Sequence, residues 1–158
     1  LKNHSSASGV DLSYFDEATK ERFTPHIVET SVGVARMTLA FIDNAYTEEQ
    51  LDSGKSRVVL KIPKSLAPIK AAIFPLQKDE KLLKMAEGIY HTLKKQMTCE
   101  FDNAGNIGKM YRRQDEIGTP VCITVDYDSL TDNSVTVRDR DTMEQRRVKI
   151  QDLTEILL

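Results

Sequence analysis

The feature that most constrains the fold of this chain is an alternation of apolar strands and amphipathic helices that begins near residue 69. The segment IKAAIFPL (69–76) is a short apolar run, which is typical of a strand covered on both faces. The next segment, 79–97, is predicted to be a helix that Asp79 caps, because its apolar residues recur at helical spacing. These apolar residues are Leu82, Ala86, Ile89, Leu93 and Met97.

The alternation continues along the rest of the sequence. TCEFD (98–102) and TPVCITVDY (119–127) are predicted strands, and SVTVRDR (134–140) should return antiparallel after a turn at Asp132-Asn133. The helix between the first two strands should end at Gly118, and IQDLTEILL (150–158) should form a short closing helix. The predicted apolar side of the helix that ends at Gly118 comprises Ile107, Met110, Tyr111 and Ile117. The order β-α-β-α-β-β-α predicts an α/β fold, with a mixed, mostly parallel sheet and helices on both faces.

The first third of the chain has a different pattern. Two β-favouring stretches flank the polar segment DEATKE (16–21) and predict a hairpin. A helix follows, for which Ser31 is the predicted cap, and residues 47–57 are polar and predict a loop or linker. The predicted apolar stripe of this helix comprises Val34, Met37, Phe41 and Ala45. We therefore expect two parts, residues 1–60 and a complete small α/β domain over residues 61–158.

Charge and composition exclude several classes of protein. The net charge of −2 excludes a polycation, so contact with nucleic acid would have to come from a few placed arginines. Mean hydropathy is −0.39 and no long apolar run occurs, which argues against a membrane span. Cys99 and Cys122 are expected to be buried thiols, and the three histidines show no metal-ligand spacing. The start, LKNHSSASG, shows neither a signal-peptide pattern nor a Met, which favours a cytoplasmic chain derived from a longer protein.

Two charged segments of the α/β part have an ordinary and a functional interpretation. Arg112 and Arg113 precede Asp115 and Glu116 at spacings that permit ion pairs on a helix surface. VRDRD (137–141) could be a strand edge that its charges protect from aggregation. Both segments also lie near strand or helix ends, where open α/β sheets tend to bind ligands. The pattern NAGNIG (103–108) has the wrong spacing for a dinucleotide fingerprint and is better explained as a turn.

A third set of polar residues lies at the predicted strand-helix junction of the first part. Glu29 and Ser31 alternate along an extended stretch, so their side chains point the same way, and Arg36 follows on the first turns of the helix. A carboxylate, a hydroxyl and a guanidinium could together hold an amino group and a phosphate. The alternative is a capping serine with two surface charges.

Five segments of the sequence together resemble one enzyme family. They are PHIVETSVGVAR, MTLAFIDNAY, LAPIKAAIFPL, YRRQDEIGTPVCITVD and TVRDRDTMEQ. The family that they resemble is the class II aminoacyl-tRNA synthetases in their glycyl-tRNA synthetase form. The first two segments resemble the third class II signature motif, and the last three resemble the anticodon-binding domain. The resemblance covers roughly residues 4–153. It departs from the family at Thr30, where Pro is usual, and at Ala35, where Asp or Gly is common.

The resemblance implies a role for individual residues. Arg36 matches the arginine that contacts ATP and stabilises charge during adenylate formation. Glu29 matches the carboxylate that binds the ammonium of glycine, and Ser31 the hydroxyl beside it. The α/β part is implied to be the class II anticodon-binding fold, preceded by a fragment of an antiparallel α+β catalytic domain. Candidate contacts to tRNA are Arg112, Arg113, Arg138 and Arg140.

The function implied is that of the C-terminal part of a glycine–tRNA ligase. Such a part would bind the anticodon loop of glycine tRNA and supply the last catalytic motif for ATP-dependent glycylation. ATP and Mg²⁺ are expected in the parent enzyme, which should be a cytoplasmic homodimer. We expect no bound cofactor and no metal ligand in these residues, and no activity from them alone. The alternatives are a non-enzymatic module that binds tRNA or protein and, less well supported, a flavodoxin-like nucleotide binder.

Overall fold

The structure, a computed structural model, describes residues 1–51 and 54–157. The chain divides into two compact units, residues 1–37 and residues 38–158. Asp52 and Ser53, which belong to the predicted loop, and Leu158, which belongs to the predicted closing helix, lie outside the described residues.

The first unit contains one short helix and one hairpin. Helix α1 (Lys2–Ser8) ends at Gly9, whose φ of 71° is in the left-handed region. Strand β1 (Tyr14–Asp16) pairs antiparallel with β2 (Glu21–Phe23), with Tyr14 opposite Phe23. The hairpin predicted for this segment is therefore confirmed.

No residue from 1 to 37 is fully buried, although all of them are described. Large apolar side chains of this unit are exposed. They are Val10, Tyr14, Phe15, Phe23, Ile27, Val28, Val32, Val34 and Met37. The unit therefore builds little apolar core of its own.

Helix α2 spans Val34–Ala45 and begins directly after Gly33, whose carbonyl accepts a hydrogen bond from the Met37 N–H. The position before the helix is therefore Gly33, and the cap predicted at Ser31 stays a prediction. Of the predicted apolar stripe, Ala45 is buried, whereas Phe41 is exposed.

After helix α2, the second unit forms a hairpin where the sequence predicted a loop. Strand β3 (Tyr46–Gln50) pairs antiparallel with β4 (Ser56–Leu60) in a separate two-stranded sheet. These two strands were not predicted, because residues 47–57 are mostly polar. Only Arg57 and Val59 of the two strands are buried, and they alternate along β4 on one face.

A five-stranded mixed sheet forms the centre of the second unit, with the spatial order β6-β5-β7-β8-β9. Strand β5 pairs parallel with β6 and β7, whereas β8 pairs antiparallel with β7 and β9. The strands span Ala71–Pro75 (β5), Cys99–Phe101 (β6), Val121–Val125 (β7), Ser134–Asp139 (β8) and Gln145–Lys149 (β9). The predicted mixed sheet is confirmed. Two of its four pairings are antiparallel, and one of these two involves β9, a strand that was not predicted.

Helices pack on both faces of this sheet, as predicted. Ala71 and Ile73 of β5 belong to an apolar cluster that includes residues of the helix at Glu80–Leu93. Ala72 and Phe74 belong to a second apolar cluster that includes Met110 of the helix at Ile107–Ile117. The helices are α3 (Glu80–Leu93), α4 (Ile107–Ile117), α5 (Ser129–Asp132) and, after a 3₁₀ turn at Ile150–Asp152, α6 (Leu153–Leu157). The Asp79 side chain accepts hydrogen bonds from the Lys81 and Leu82 N–H groups, which confirms it as the cap of α3.

Strand β9 explains why VRDRD is not a strand edge. Its sequence, QRRVK, carries three cations and buries only Val148, so it lacks the apolar alternation that predicts a strand. Its pairing with β8 places Arg138 opposite Gln145 inside the sheet. The charged outer strand is β9, whose charges suit an exposed edge. No helix among the described residues is long and apolar enough to cross a membrane.

The turn between β8 and β9 should give the chain a defined acid dependence through Asp139. Burial raises the pKa of Asp139, but the Lys64 ammonium and the N–H groups of Asp141 and Thr142 outweigh burial and hold the pKa at about 2. This value lies below the unfolded value of about 3.9, so the stabilisation is present above pH ~4 and is lost as the pH falls to ~2. We expect Asp139→Asn to lower the free energy of unfolding by about 1–2 kcal/mol at pH 7, a difference that shrinks towards pH 2. Urea unfolding at several pH values measures it, and a pH-independent difference would contradict it.

Candidate nucleic-acid interface

One face of the sheet is apolar beneath helix α4 and polar beyond it. The strand registers place Cys122, Arg138 and Gln145 in one row across β7, β8 and β9, and Thr124, Thr136 and Arg147 in the next. Met110 of α4 covers this face at Phe74 and Cys122. We call the polar part of this face the polar sheet face, which comprises Thr136, Arg138, Gln145, Arg147 and Lys149. Gln145, Arg147 and Lys149 are exposed there.

Arg147 is fixed at the end of this face where the parallel strands reach their carboxyl ends. Its guanidinium donates to Asp126 at 2.5 Å, to Thr136 Oγ1 at 3.2 Å and to Asp132 at 3.0 Å. Hydrogen bonds from Ser134, and then the Arg147 guanidinium, lower the pKa of Asp132 to about 2. Arg147 is therefore held in place, yet its side chain keeps 37% of its surface exposed.

Lys149 extends the exposed cations along the same strand. Its Nζ donates to the Asp132 carbonyl at 2.7 Å. Because side chains alternate along β9, Lys149 and Arg147 share the polar sheet face, whereas Arg146 between them belongs to the opposite face with Val137 and Val121. These two cations were not among the predicted site residues, because β9 was not predicted as a strand.

Arg138 lies on the polar sheet face but is buried. Its guanidinium binds both oxygens of Asp115, at 2.9 and 3.3 Å, and lies 4.8 Å from the centre of the Tyr111 ring. Burial lowers the pKa of Arg138, but the hydrogen bonds and charge of Asp115 outweigh burial and raise it. Tyr111 in turn bonds Thr124 through its hydroxyl.

Arg140 is also buried, with 2% of its surface exposed. Its Nη1 donates to three carbonyls, those of Leu60, Ile62 and Gly118, at 3.1, 2.9 and 2.8 Å. Nε bonds Asp141 at 2.8 Å. Arg140 therefore joins the hairpin β3–β4 to the end of α4, and its contact with tRNA, like that of Arg138, stays a prediction.

The acidic centre of this region is Asp115, with which Arg57 of β4 also pairs. Arg57 Nη1 lies 3.1 Å from Asp115 Oδ2, and Arg57 also bonds Glu49 and the Arg140 carbonyl. Both Arg57 and Asp115 are buried, which contradicts the interpretation of Asp115 as part of a surface ion pair. A signal existed in the sequence, since Ile107, Tyr111 and Asp115 are spaced by four and share one helix face.

The two adjacent arginines of α4 have different surroundings. Arg113 binds Asp102, with Nε at 2.9 Å, and the Ala104 carbonyl, instead of Glu116. Arg112 Nη1 lies 3.8 Å from Asp115 Oδ2, and this buried nitrogen has no hydrogen-bond partner in the part of the chain that the structure describes.

Glu29, Ser31 and Arg36 belong to the first unit and are all exposed. Among the described residues, no hydrogen bond or ion pair joins them. Their implied roles towards glycine and ATP therefore stay predictions.

Residues 1–51 and 54–157 contain no group of three or more His, Cys, Asp or Glu side chains that could hold a metal ion. Cys99 and Cys122 are free, and burial raises the pKa of Cys122 to about 12.

Comparison with known proteins identifies the α/β unit. Residues 70–158 match the family model described as anticodon binding domain, and the chain belongs to that family. The full chain is similar to proteins named glycine–tRNA ligase. That of Lachnospira eligens is 55% identical over 153 residues, which are 97% of this chain and 33% of the relative. That of Clostridium tetani is 51% identical over 157 residues, which are 99% and 34% of the two chains. The resemblance to glycyl-tRNA synthetases is confirmed, and the chain spans about a third of the length of these curated relatives.

Proposed function

We propose that this chain is part of a glycine–tRNA ligase and that its polar sheet face contacts the anticodon region of glycine tRNA. The observation that carries the proposal is the fixed but exposed pair of cations, Arg147 and Lys149, on a sheet of the matched anticodon-binding domain. Unpaired anticodon bases can be splayed out and read on their edges, and the phosphates between them bind cations.

The chain's charge suits this mode of binding. A net charge of −2 provides no general attraction for RNA, so the contacts must come from placed groups. Gln145 adds an amide that can donate and accept on a base edge. The burial of Arg138 and Arg140 favours an indirect role for these two, in which they hold the elements that present Tyr111, Gln145 and Arg147.

The parent reaction is likewise a proposal. In it, the carboxylate of glycine attacks the α-phosphate of ATP and displaces pyrophosphate. The terminal ribose hydroxyl of the tRNA then attacks the glycyl carbonyl of the adenylate and displaces AMP. Arg36 would stabilise the charge on the phosphate, while Glu29 and Ser31 would bind the ammonium of glycine. We assign no Mg²⁺ ligand among residues 1–51 and 54–157, which contain no group of three or more possible metal ligands. The homodimer and the cytoplasmic location are expectations for the parent enzyme.

Two neighbouring arginines of β9 provide a matched test of the interface. We expect Arg147→Gln to weaken binding of an RNA hairpin with the anticodon stem and loop of glycine tRNA about tenfold, because a charge-assisted contact is lost. Arg146→Gln makes the same chemical change on the opposite face and should leave affinity within about twofold. Fluorescence anisotropy at low and high salt measures both, and thermal unfolding checks that each variant is folded.

Equal effects of the two substitutions would contradict the assignment of the polar sheet face. An anticodon-swapped hairpin tests specificity separately. A preference for the native anticodon that survives added salt supports the proposal, whereas equal binding of both hairpins that salt abolishes would overturn anticodon recognition and favour a module that binds by charge alone.

A further inference from the structure

The buried carboxylate of Asp115 lies among arginines from three different elements. Arg57 of β4 approaches Oδ2 at 3.1 Å, and Arg138 of β8 bonds Oδ1 at 2.9 Å and Oδ2 at 3.3 Å. Arg112 of α4 itself remains 3.8 Å from Oδ2, beyond hydrogen-bond distance. Asp115 therefore accepts hydrogen bonds from two arginines, whereas the third lies within ion-pair distance without a hydrogen bond.

The charges of this cluster do not balance. Four cations, the guanidinium groups of Arg57, Arg112 and Arg138 and the Lys61 ammonium, pair with the two carboxylates of Glu49 and Asp115, which leaves two positive charges in excess. Arg57 and Arg138 form hydrogen bonds with these carboxylates. Among the described residues, Arg112 Nη1 lies near Asp115 but forms no hydrogen bond.

Arg112 combines an unsatisfied donor with access to solvent. Its Nη1 is buried without a hydrogen-bond partner in the described part of the chain, and its side chain is 39% exposed. The buried Nη1 is not itself open to solvent, so an acceptor supplied from outside would meet the exposed part of the Arg112 side chain. A planar, permanently charged guanidinium is suited to the paired oxygens of a phosphate.

We propose that Arg112 binds a backbone phosphate of the RNA and that Arg57 is the positioning residue that keeps it available. This inference rests on the proposed function of the polar sheet face. By occupying Asp115 Oδ2, Arg57 prevents Arg112 from closing the gap of 3.8 Å to the same oxygen. Without Arg57, Arg112 would bond Asp115 and withdraw its charge from the RNA. The hairpin β3–β4 thereby sets the charge that the α/β unit offers to nucleic acid.

The slope of log affinity against log salt concentration tests this proposal, because each lost phosphate contact reduces it by about 0.7–0.9. The probe is the anticodon stem-loop hairpin, titrated against the 158-residue chain between about 50 and 200 mM salt. We expect Arg112→Gln to reduce the slope by one such contact. Arg57→Gln should reduce it equally although Arg57 is buried, and the double variant should lose no more than Arg112→Gln alone. Arg57→Lys, which keeps a cation beside Asp115, should retain the slope of the unmodified chain.

The outcomes are distinguishable. An unchanged slope in Arg112→Gln overturns the phosphate assignment, and this variant changes an exposed side chain, so the test stands even if Arg57→Gln fails to fold. Additive losses in the double variant would overturn the positioning role, because a merely structural Arg57 would act independently of Arg112. If the unmodified chain shows no anticodon preference, the proposed function is overturned but the phosphate assignment of Arg112 is not. The slope depends on the number of phosphate contacts, whatever the base sequence.

Discussion

Replacing Asp115 by alanine should lower the free energy of unfolding by about 3–5 kcal/mol, the cost of breaking a buried ion pair by removing one partner. The substitution leaves the Arg57 guanidinium with Glu49 and the Arg140 carbonyl, and it deprives Arg138 of the carboxylate that it binds through both oxygens. Both arginines are buried, so water cannot replace the lost carboxylate. Urea unfolding followed by circular dichroism measures the change.

Glu116 provides the matched control, since it is the next residue of the same helix and is exposed. Glu116→Ala makes a similar change of charge and helix propensity without disturbing the cluster. We expect its effect to stay within about 0.5 kcal/mol. Similar losses from the two variants would show that Asp115 contributes only as a helix residue.

Gly118→Ala should be the most costly glycine substitution in the chain, at about 2–4 kcal/mol. Gly118 ends α4 with a φ of 83°, a left-handed conformation that costs a residue with a Cβ roughly 1–2 kcal/mol. A Cβ there would also lie 2.8 Å from the Leu60 carbonyl oxygen, so the backbone of β4 would have to move. That movement would disturb the carbonyls that Arg140 binds. Thermal and urea unfolding measure the loss.

Gly105 separates the two contributions. Its φ of 92° is as unusual, but the nearest atom to an added Cβ is the Lys109 Cδ at 3.8 Å, an ordinary contact. Gly105→Ala should therefore cost about 1–2 kcal/mol from the backbone conformation alone. If Gly118→Ala costs no more than Gly105→Ala, the close approach of β4 to the end of α4 does not contribute to the loss of stability.

Sequence periodicity predicted the elements whose apolar residues face the core. Strand β5, helix α3 with its Asp79 cap, and the end of α4 at Gly118 all follow from local patterns. Ile117, predicted on the apolar side of α4, is 43% exposed, whereas Gln114 and Asp115 are buried. The local pattern failed there because a polar residue on a helix is expected at the surface, and only contacts made by distant strands compensate its burial.

The candidate site was harder to predict for the same reason. Arg57 and Asp115 are 58 residues apart, and nothing near either residue in the sequence indicates the pairing. Arg147 and Lys149 lie on a strand defined by its pairing with β8, and its own composition is almost wholly charged. Long-range geometry, which no local pattern encodes, determines both the buried cluster and the exposed cations.

The sequence separation of the partners of Arg57 also sets an order of events during synthesis on the ribosome. The Arg140 carbonyl that Arg57 binds is made 83 residues later, which at about 5–20 residues per second is a delay on the order of ten seconds. Glu49, only eight residues from Arg57, is the carboxylate within reach during that interval. The nascent hairpin thus carries its own counter-charge, which Arg57 keeps when Asp115 joins it in the complete sheet.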